Sequence, residues 1–251
     1  MDNDFINKIV HPDISLSDYL DWFWMMENRS SEDKDVVVIP DGRIDIIFTQ
    51  SPDEPFGIGL IGLETLPSRH IFSAGTTMFG VSLKLLAAEY LIDTNIAELV
   101  NSIKILPNNF WGITEKDLSD FNAFCKKVID RVSGLINPDI DERKKKLFDL
   151  IYSSNGSLTV KEISEKVFWS SRQINRYFNQ KFGLSLKTFC NILRFRASFP
   201  HIKEGKLFPE QNFSDQPHFI KEVKKLAGVT PKELFKNQND RFLQFSLLPE
   251  K

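Results

Sequence analysis

The sequence predicts an α+β protein of two domains. A mainly-β sandwich or barrel comes first, a helical linker follows, and the carboxy-terminal domain is all-α. Three observations predict this. Up to Lys84 the apolar residues fall in short β-branched or aromatic runs separated by turn-forming clusters. Beyond Lys84 the apolar spacing changes to the threes and fours of a helix. Charge is also divided between the parts. Residues 1–154 hold 15 Lys/Arg and 25 Asp/Glu, net −10, residues 155–236 hold 15 and 7, net +8, and residues 237–251 hold 2 and 2, giving the overall −2. An acidic body with a basic head points to nucleic acid as the partner of the head.

In chain order, residues 1–18 are expected to be a poorly fixed lead-in. The strand-like runs are Tyr19–Met26, Val36–Ile39, Arg43–Thr49, Phe56–Leu63, His70–Ala74 and Thr77–Lys84. SSEDKD, PDG, SPDEP and LPSR punctuate them with turn chemistry. Helical periods follow at Leu85–Leu91 and Asn95–Val100. Thr114–Val132 reads as one amphipathic helix whose stripe is Leu118, Phe121, Cys125, Val128 and Val132. Asn137-Pro138 interrupts, and a second linker helix with the basic run Arg143-Lys-Lys-Lys extends to Tyr152. Ser153-Ser-Asn-Gly is the hinge. The boundaries expected are therefore 1–112 for the β-rich domain, 113–153 for the helical linker and 154–251 for the basic domain.

The basic domain opens with two short helices joined by a tight turn. Val160, Ile163 and Val167 give the first an apolar face, with Thr159 as its cap. Phe168-Trp169-Ser170 breaks the pattern. Ser170 and Gln173 form a capping box at the start of the second helix. That helix buries Ile174, Tyr177 or Phe178, and Phe182, and Gly183 stops it. Left exposed are Ser171, Arg172, Gln173, Asn175, Arg176, Asn179 and Lys181, donors for base edges and phosphates with no acid among them. Arg forks onto guanine and Asn or Gln onto adenine in the major groove, and a helix-turn-helix presents its second helix that way. Next come a helix through Leu186, Phe189, Cys190, Leu193 and Ala197, which Pro200 should kink or end, and a second basic helix from Ser214. A short closing helix follows Gly228-Val-Thr-Pro.

Several other chemistries are excluded. Gly57-Ile-Gly-Leu-Ile-Gly62 matches a dinucleotide fingerprint in letters only, since no helix opens after it, and it reads as a glycine-rich strand. The four histidines lack ligand spacing, so neither a metal nor a cofactor is expected. Asp41 and Asp45 flank Arg43 as a turn and a strand edge. Cys125 and Cys190 read as buried thiols. No nucleophile constellation appears, and an enzyme is not expected. The sequence shows neither a signal peptide nor an apolar run of membrane-spanning length, which implies a cytoplasmic protein.

The stretch SSRQINRYFNQKFGLSLKTF paired with SDQPHFIKEVKKLAGVTPKEL strongly resembles the AraC/XylS transcription regulators, over roughly residues 155–236. An internal echo supports it: Ser170, Ile174, Arg176, Phe178 and Gly183-Leu-Ser return as Asp215, Phe219, Lys221, Val223 and Gly228-Val-Thr. The resemblance implies two helix-turn-helix units joined by a central helix, their second helices entering successive major grooves of double-stranded DNA. It places Arg172, Asn175 and Arg176 on the base-reading face of the first unit, and Gln216, His218 and Lys221 at the exposed positions of the second. Lys224 and Lys225 are expected to add phosphate contacts.

The chain departs from the pattern between Gly205 and Phe213, where about one helical turn of the second support helix is missing, and at Pro200 and Pro209. The first unit is therefore expected to be the main base reader. The amino-terminal part resembles, less specifically, the β-rich sensor domains of such regulators. That implies a small-molecule effector or a homodimer, with the 114–132 helix as the candidate seam. The other function class is a ligand- or protein-binding module whose shortened second unit has lost DNA affinity.

Overall fold

The computed structural model describes residues 4–92, 94–136, 139–208, 213–237 and 241–246. The N-terminal half is built on a six-stranded antiparallel sheet. Its strands are β1 (Phe5–Val10), β2 (Leu20–Asn28), β4 (Ile44–Gln50), β5 (Gly57–Ile61), β7 (Thr77–Leu83) and β8 (Ile103–Leu106), in the order β1-β2-β7-β4-β5-β8. A two-stranded sheet of β3 (Lys34–Val38) and β6 (Ser68–Phe72) accompanies it. Side chains alternate between the faces of a strand, and β2 uses both. Phe23 joins Phe48 and Phe79 in the main core, while Trp24 and Met26 pack with Val36 and Phe72 under the small sheet.

Three sequence expectations are corrected here, the first being that strands end at Lys84: β8 pairs with β5 from Ile61 opposite Ile103 to Ile58 opposite Leu106. From residue 4 the supposed lead-in is ordered: β1 pairs with β2 from Phe5 opposite Asn28 to Val10 opposite Phe23. Its exposed central residues Asn7 and Lys8 hide the alternation that marks a strand. The segment 114–132 is also not one helix. A 3₁₀ turn, Glu115–Ser119, is held by the Thr114–Asp117 capping box, and α2 (Phe121–Ser133) restarts at Asp120. The Asp120 carboxylate accepts from the Asn122 and Ala123 amides, and an extended cap residue cannot continue the preceding turn.

The apolar stripe of α2 is buried in the chain's own core. Phe124 meets Phe48 at 5.1 Å and Phe79 at 5.2 Å between ring centroids, edge to face. Cys125, Val128 and Val132 are buried beside it, so this helix has no apolar face left to serve as a dimer seam. Asn137-Pro138 lies outside the described residues.

The other helices are α1 (Leu85–Tyr90), α3 (Glu142–Ser153), α4 (Val160–Val167), α5 (Ser171–Phe182), α6 (Leu186–Ala197), α7 (Phe199–Lys203), α8 (Gln216–Ala227), α9 (Pro231–Lys236) and α10 (Leu243–Ser246). The main core does not stop at the linker. Phe148 of α3 packs on Tyr177, Phe178 and Phe182 of α5, and the cluster continues from there to Leu83, Leu86 and Phe79. The basic run of α3 ties the halves together: Lys144 pairs with Glu89, and Lys145 pairs with Asp18 at 3.2 Å. Cys125 and Cys190 are buried free thiols, and burial pushes each up to about 12.

Among the described residues no helix is long and apolar enough to cross a membrane. Gly57–Ile61 is a strand, as its letters suggested. A Cβ on Gly62 would stand 2.0 Å from the Leu99 carbonyl oxygen, so close backbone approach explains that glycine.

Candidate nucleic-acid interface

Local chemistry defines the two units. Thr159 and Glu162 cap α4 reciprocally, and Ser170 and Gln173 do the same for α5. Ile163 and Val167 of α4 and Ile174 and Phe178 of α5 are buried, with Tyr177 on the same side. The turn between them carries Phe168 in the left-handed region (φ 53°) with its side chain 88% exposed. A glycine would adopt that backbone without strain. Trp169 instead packs on Tyr177, 5.3 Å between centroids.

The second unit reproduces the first. Helices α5 and α8 both have 12 residues. Each has an N-cap side chain that accepts from the third residue's amide, Ser170 from Gln173 and Asp215 from His218. Each ends in a left-handed glycine whose N–H returns to the carbonyl four residues back, Gly183 to Asn179 and Gly228 to Lys224.

Both carboxyl ends abut the N-terminal half. A Cβ on Gly183 would lie 2.6 Å from Val100 Cγ2 and 2.7 Å from the Ala97 oxygen, and one on Gly228 would lie 3.3 Å from Pro67 Cγ. Each amino-terminal end is a helix length of about 18 Å from that contact.

The predicted site residues divide by environment. Arg172 and Arg176, one turn apart on α5, are exposed, as are Gln216, Lys221, Lys224 and Lys225 on α8. Ser171 is half-buried at the start of α5. Gln173 is exposed, but its Oε1 accepts from Ser170 N and Oγ at 3.0 and 2.6 Å. Asn175 and Asn179 donate back along their own helix, to the Ser171 and Asn175 carbonyls at 3.0 and 2.9 Å.

His218 turns away from the rest of α8. Its Nδ1 meets Ser214 N and Oγ at 3.4 and 3.2 Å, and its ring stands edge-on to Phe213. Lys181 sits at the seated end of α5. There it lines a cleft of about 660 Å³ with Gln180, Ile96, Thr94 and Lys104, on the side away from Arg172.

The short support of the second unit has a structural answer. Helix α6 ends at Ala197, and Pro200 occupies the first turn of α7, where its missing N–H is no loss. Pro209 lies outside the described residues. The core beneath α8 is completed from elsewhere: Phe199 and Ile202 of α7, Val37 and Ile39 of the β3 segment, and Phe242 and Phe245 near the carboxy terminus all pack with Phe219 and Val223. Backbone bonds join the last two pieces, with Val37 N donating to the Arg241 carbonyl at 2.6 Å. Ile39 N donates to Gln244 Oε1 at 2.9 Å.

Sequence reasoning missed a charge network that joins the central helix α6 to the N-terminal half. Arg43 Nε donates to Asp21 Oδ2 at 2.5 Å, Arg43 Nη1 pairs with Asp41, and Arg196 Nη1 of α6 reaches Asp21 Oδ2 at 3.3 Å. The Arg43 guanidinium also lies 3.7 Å from the Trp22 ring centroid. Burial alone would raise the Asp21 carboxyl, but Arg43 and Arg196 carry it below its usual range.

Close by, Asp45 accepts from Ser82 Oγ at 2.5 Å and Trp24 Nε1 at 3.2 Å. Burial, reinforced by Asp41, pushes Asp45 up to about 6 and Glu64 up to about 7. Asp41 and Arg43 are thus more than the turn and strand edge read from their letters. Gly42 between them has φ 79°, and a Cβ there would lie 3.0 Å from Leu193 Cδ2 of α6.

A family model described as a domain of unknown function (DUF6597) matches residues 8–104. No curated protein matches the sequence. Among solved structures, ToxT from Vibrio cholerae O395 is similar at 13% identity and TM-score 0.49, covering 98% of this chain and 99% of its own. An apo ToxT variant from strain SCE256 is similar at 13% identity and TM-score 0.46, covering 93% and 97%. The same strain's ToxT with unsaturated fatty acid bound is similar at 13% identity and TM-score 0.42, covering 96% and 98%. These likenesses lie below the level at which residue roles transfer.

Proposed function

We propose that this chain is a sequence-specific DNA-binding transcription regulator with double-stranded DNA as its partner. One observation carries the reading: two 12-residue helices share caps and buried faces, end against the acidic half, and expose cations, Arg172 and Arg176 on α5 and Lys221, Lys224 and Lys225 on α8. In this reading residues 154–251 are the DNA-binding domain, 1–112 the regulatory domain that answers a small-molecule effector, and 113–153 the link between them.

The first unit is the main base reader. Arg172 and Arg176 are the guanine-reading pair, with Ser171, Asn175 and Asn179 beside them, and Gln173 positions the helix start. In the second unit Lys221, Lys224 and Lys225 supply phosphate contacts. The protein acts in the cytoplasm and has no catalytic role.

The test is equilibrium binding of the full chain to random-sequence duplex DNA across a salt series. Lysines and arginines release condensed counterions, so affinity falls steeply and log-linearly with salt. A flat response overturns the reading.

A further inference from the structure

Because α5 and α8 match residue for residue between their caps, each exposed position of one has a counterpart in the other. Ser171 corresponds to Gln216, Arg176 to Lys221 and Asn179 to Lys224. The position of Asn175 is held by Ile220. The match is fixed independently by three buried pairs, Ile174 with Phe219, Phe178 with Val223 and Phe182 with Ala227. Ile220 is 37% exposed, whereas the apolar residues around it on α8, Phe219 and Val223, are fully buried. Isolated apolar side chains are common on protein surfaces. Ile220 differs in its register, since it stands among Gln216, Lys221 and Lys224 on the free face of the helix.

Residues four apart on a helix are neighbours on one face, so Gln216 and Ile220 form a pair. In the major groove an A·T pair presents adenine N6 and N7 on one base and the C5 methyl on the other. A Gln amide fits the first and an aliphatic side chain the second. On the first helix Arg172 and Arg176 fit guanine instead.

We infer that the second unit reads A·T pairs, with Ile220 packed on a thymine C5 methyl and Gln216 on adenine. This rests on the DNA-binding reading above and adds a specificity-determining residue to it. It also limits the second unit's share. One methyl removed from water is worth about 0.8 kcal/mol, close to a fourfold change in affinity, whereas a bidentate Arg–guanine pair is worth more.

The experiment uses the full chain and a duplex selected from a randomised pool. Thymines of the second half-site are replaced one at a time by uracil, which removes only the methyl. For the wild-type protein one replacement weakens binding about fourfold, while thymine-to-uracil replacements at the A·T pairs of the first half-site, beside the guanines assigned to Arg172 and Arg176, leave it unchanged. Ile220→Ala binds the thymine duplex about as weakly as wild type binds the uracil one, and is itself indifferent to the replacement. Ile220→Val, which keeps a branched apolar tip, retains the discrimination. Melting temperatures equal to wild type show that both variants are folded.

If the chain binds duplex DNA with a steep salt dependence but no uracil replacement matters, or Ile220→Ala still discriminates, the inference about Ile220 is overturned and the DNA-binding reading stands. The same holds if the selected second half-site contains no fixed thymine. Absence of salt-dependent binding removes the reading on which the inference rests.

Discussion

Arg196 Nη1 of α6 lies 3.3 Å from Asp21 Oδ2 of β2, so the helix joining the two helix-turn-helix units is ion-paired to the N-terminal half. Asp21 serves two guanidinium groups, the half-buried one of Arg196 and the buried one of Arg43, whose Nε also donates to it. Removing one partner of a buried charge group leaves the others desolvated and uncompensated. Asp21→Asn should therefore lower unfolding free energy by on the order of 3 kcal/mol, measured by urea denaturation. A loss under about 1 kcal/mol would show that the network is effectively solvated.

The seat of α5 gives a second prediction. Gly183 combines a positive φ of 72° with a space that a Cβ would have to share with Val100 and the Ala97 carbonyl. Left-handed backbone costs a non-glycine residue about 1–2 kcal/mol, and overpacking adds about 1–3 kcal/mol. Gly183→Ala should cost about 2–4 kcal/mol in the same urea titration. A neutral result would mean that α5 does not rest on Ala97 and Val100 in solution.

Phe168 predicts the opposite sign. Its left-handed backbone is strained and its side chain is mostly in water, so Phe168→Gly relieves the strain while sacrificing little packing. The variant should be more stable by about 0.5–1 kcal/mol, read as a rise in melting temperature. Destabilisation would indicate that the Phe168 ring, over which Lys146 lies at 5.6 Å, contributes more than the strain costs.

Stability should also fall as pH rises through neutrality. Burial raises Asp45 to about 6 and Glu64 to about 7, so the folded chain holds protons that the unfolded chain has released. Their contribution is full below the unfolded carboxylate range and is lost as pH climbs through 6 and 7. Between pH 5.5 and 7.5 the loss should be on the order of 1–3 kcal/mol. Glu64→Gln, which cannot titrate, should flatten most of that slope in melting scans. An unchanged slope would place the titration elsewhere.

The DNA reading predicts a difference between cations. Arg176→Ala should lower discrimination between a selected and a scrambled duplex by about 1–3 kcal/mol, because a bidentate guanine contact is lost. Lys221→Ala should weaken both duplexes alike and reduce the salt slope by about one, as a phosphate contact does. Competition binding at two salt concentrations separates the two effects. Equal behaviour of the two variants would contradict the placement of Arg176 on a base edge.

By itself the sequence determined the helix-turn-helix units almost to the residue. Thr159–Glu162, Ser170–Gln173, Asp215 and the stops at Gly183 and Gly228 act over three or four residues, and so do the apolar spacings around Ile163, Ile174 and Phe219. Interactions that close within one helical turn leave a readable spacing. The strands from Leu20 to Leu83 were legible for the same reason, through alternation and turn residues. Strand β1 was not, because its central residues are exposed and its identity comes from pairing with β2.

Only the tertiary structure decided which faces meet. The stripe of α2 looked equally suited to a partner chain or to its own sheet, and the gap above Phe48 and Phe79 settled it. Asp21 and Arg196 are 175 residues apart, and Val37 and Ile39 complete the core of a unit that begins far downstream. Such contacts arise because burying apolar area and compensating desolvated charge depend on position in space, a property no local spacing records.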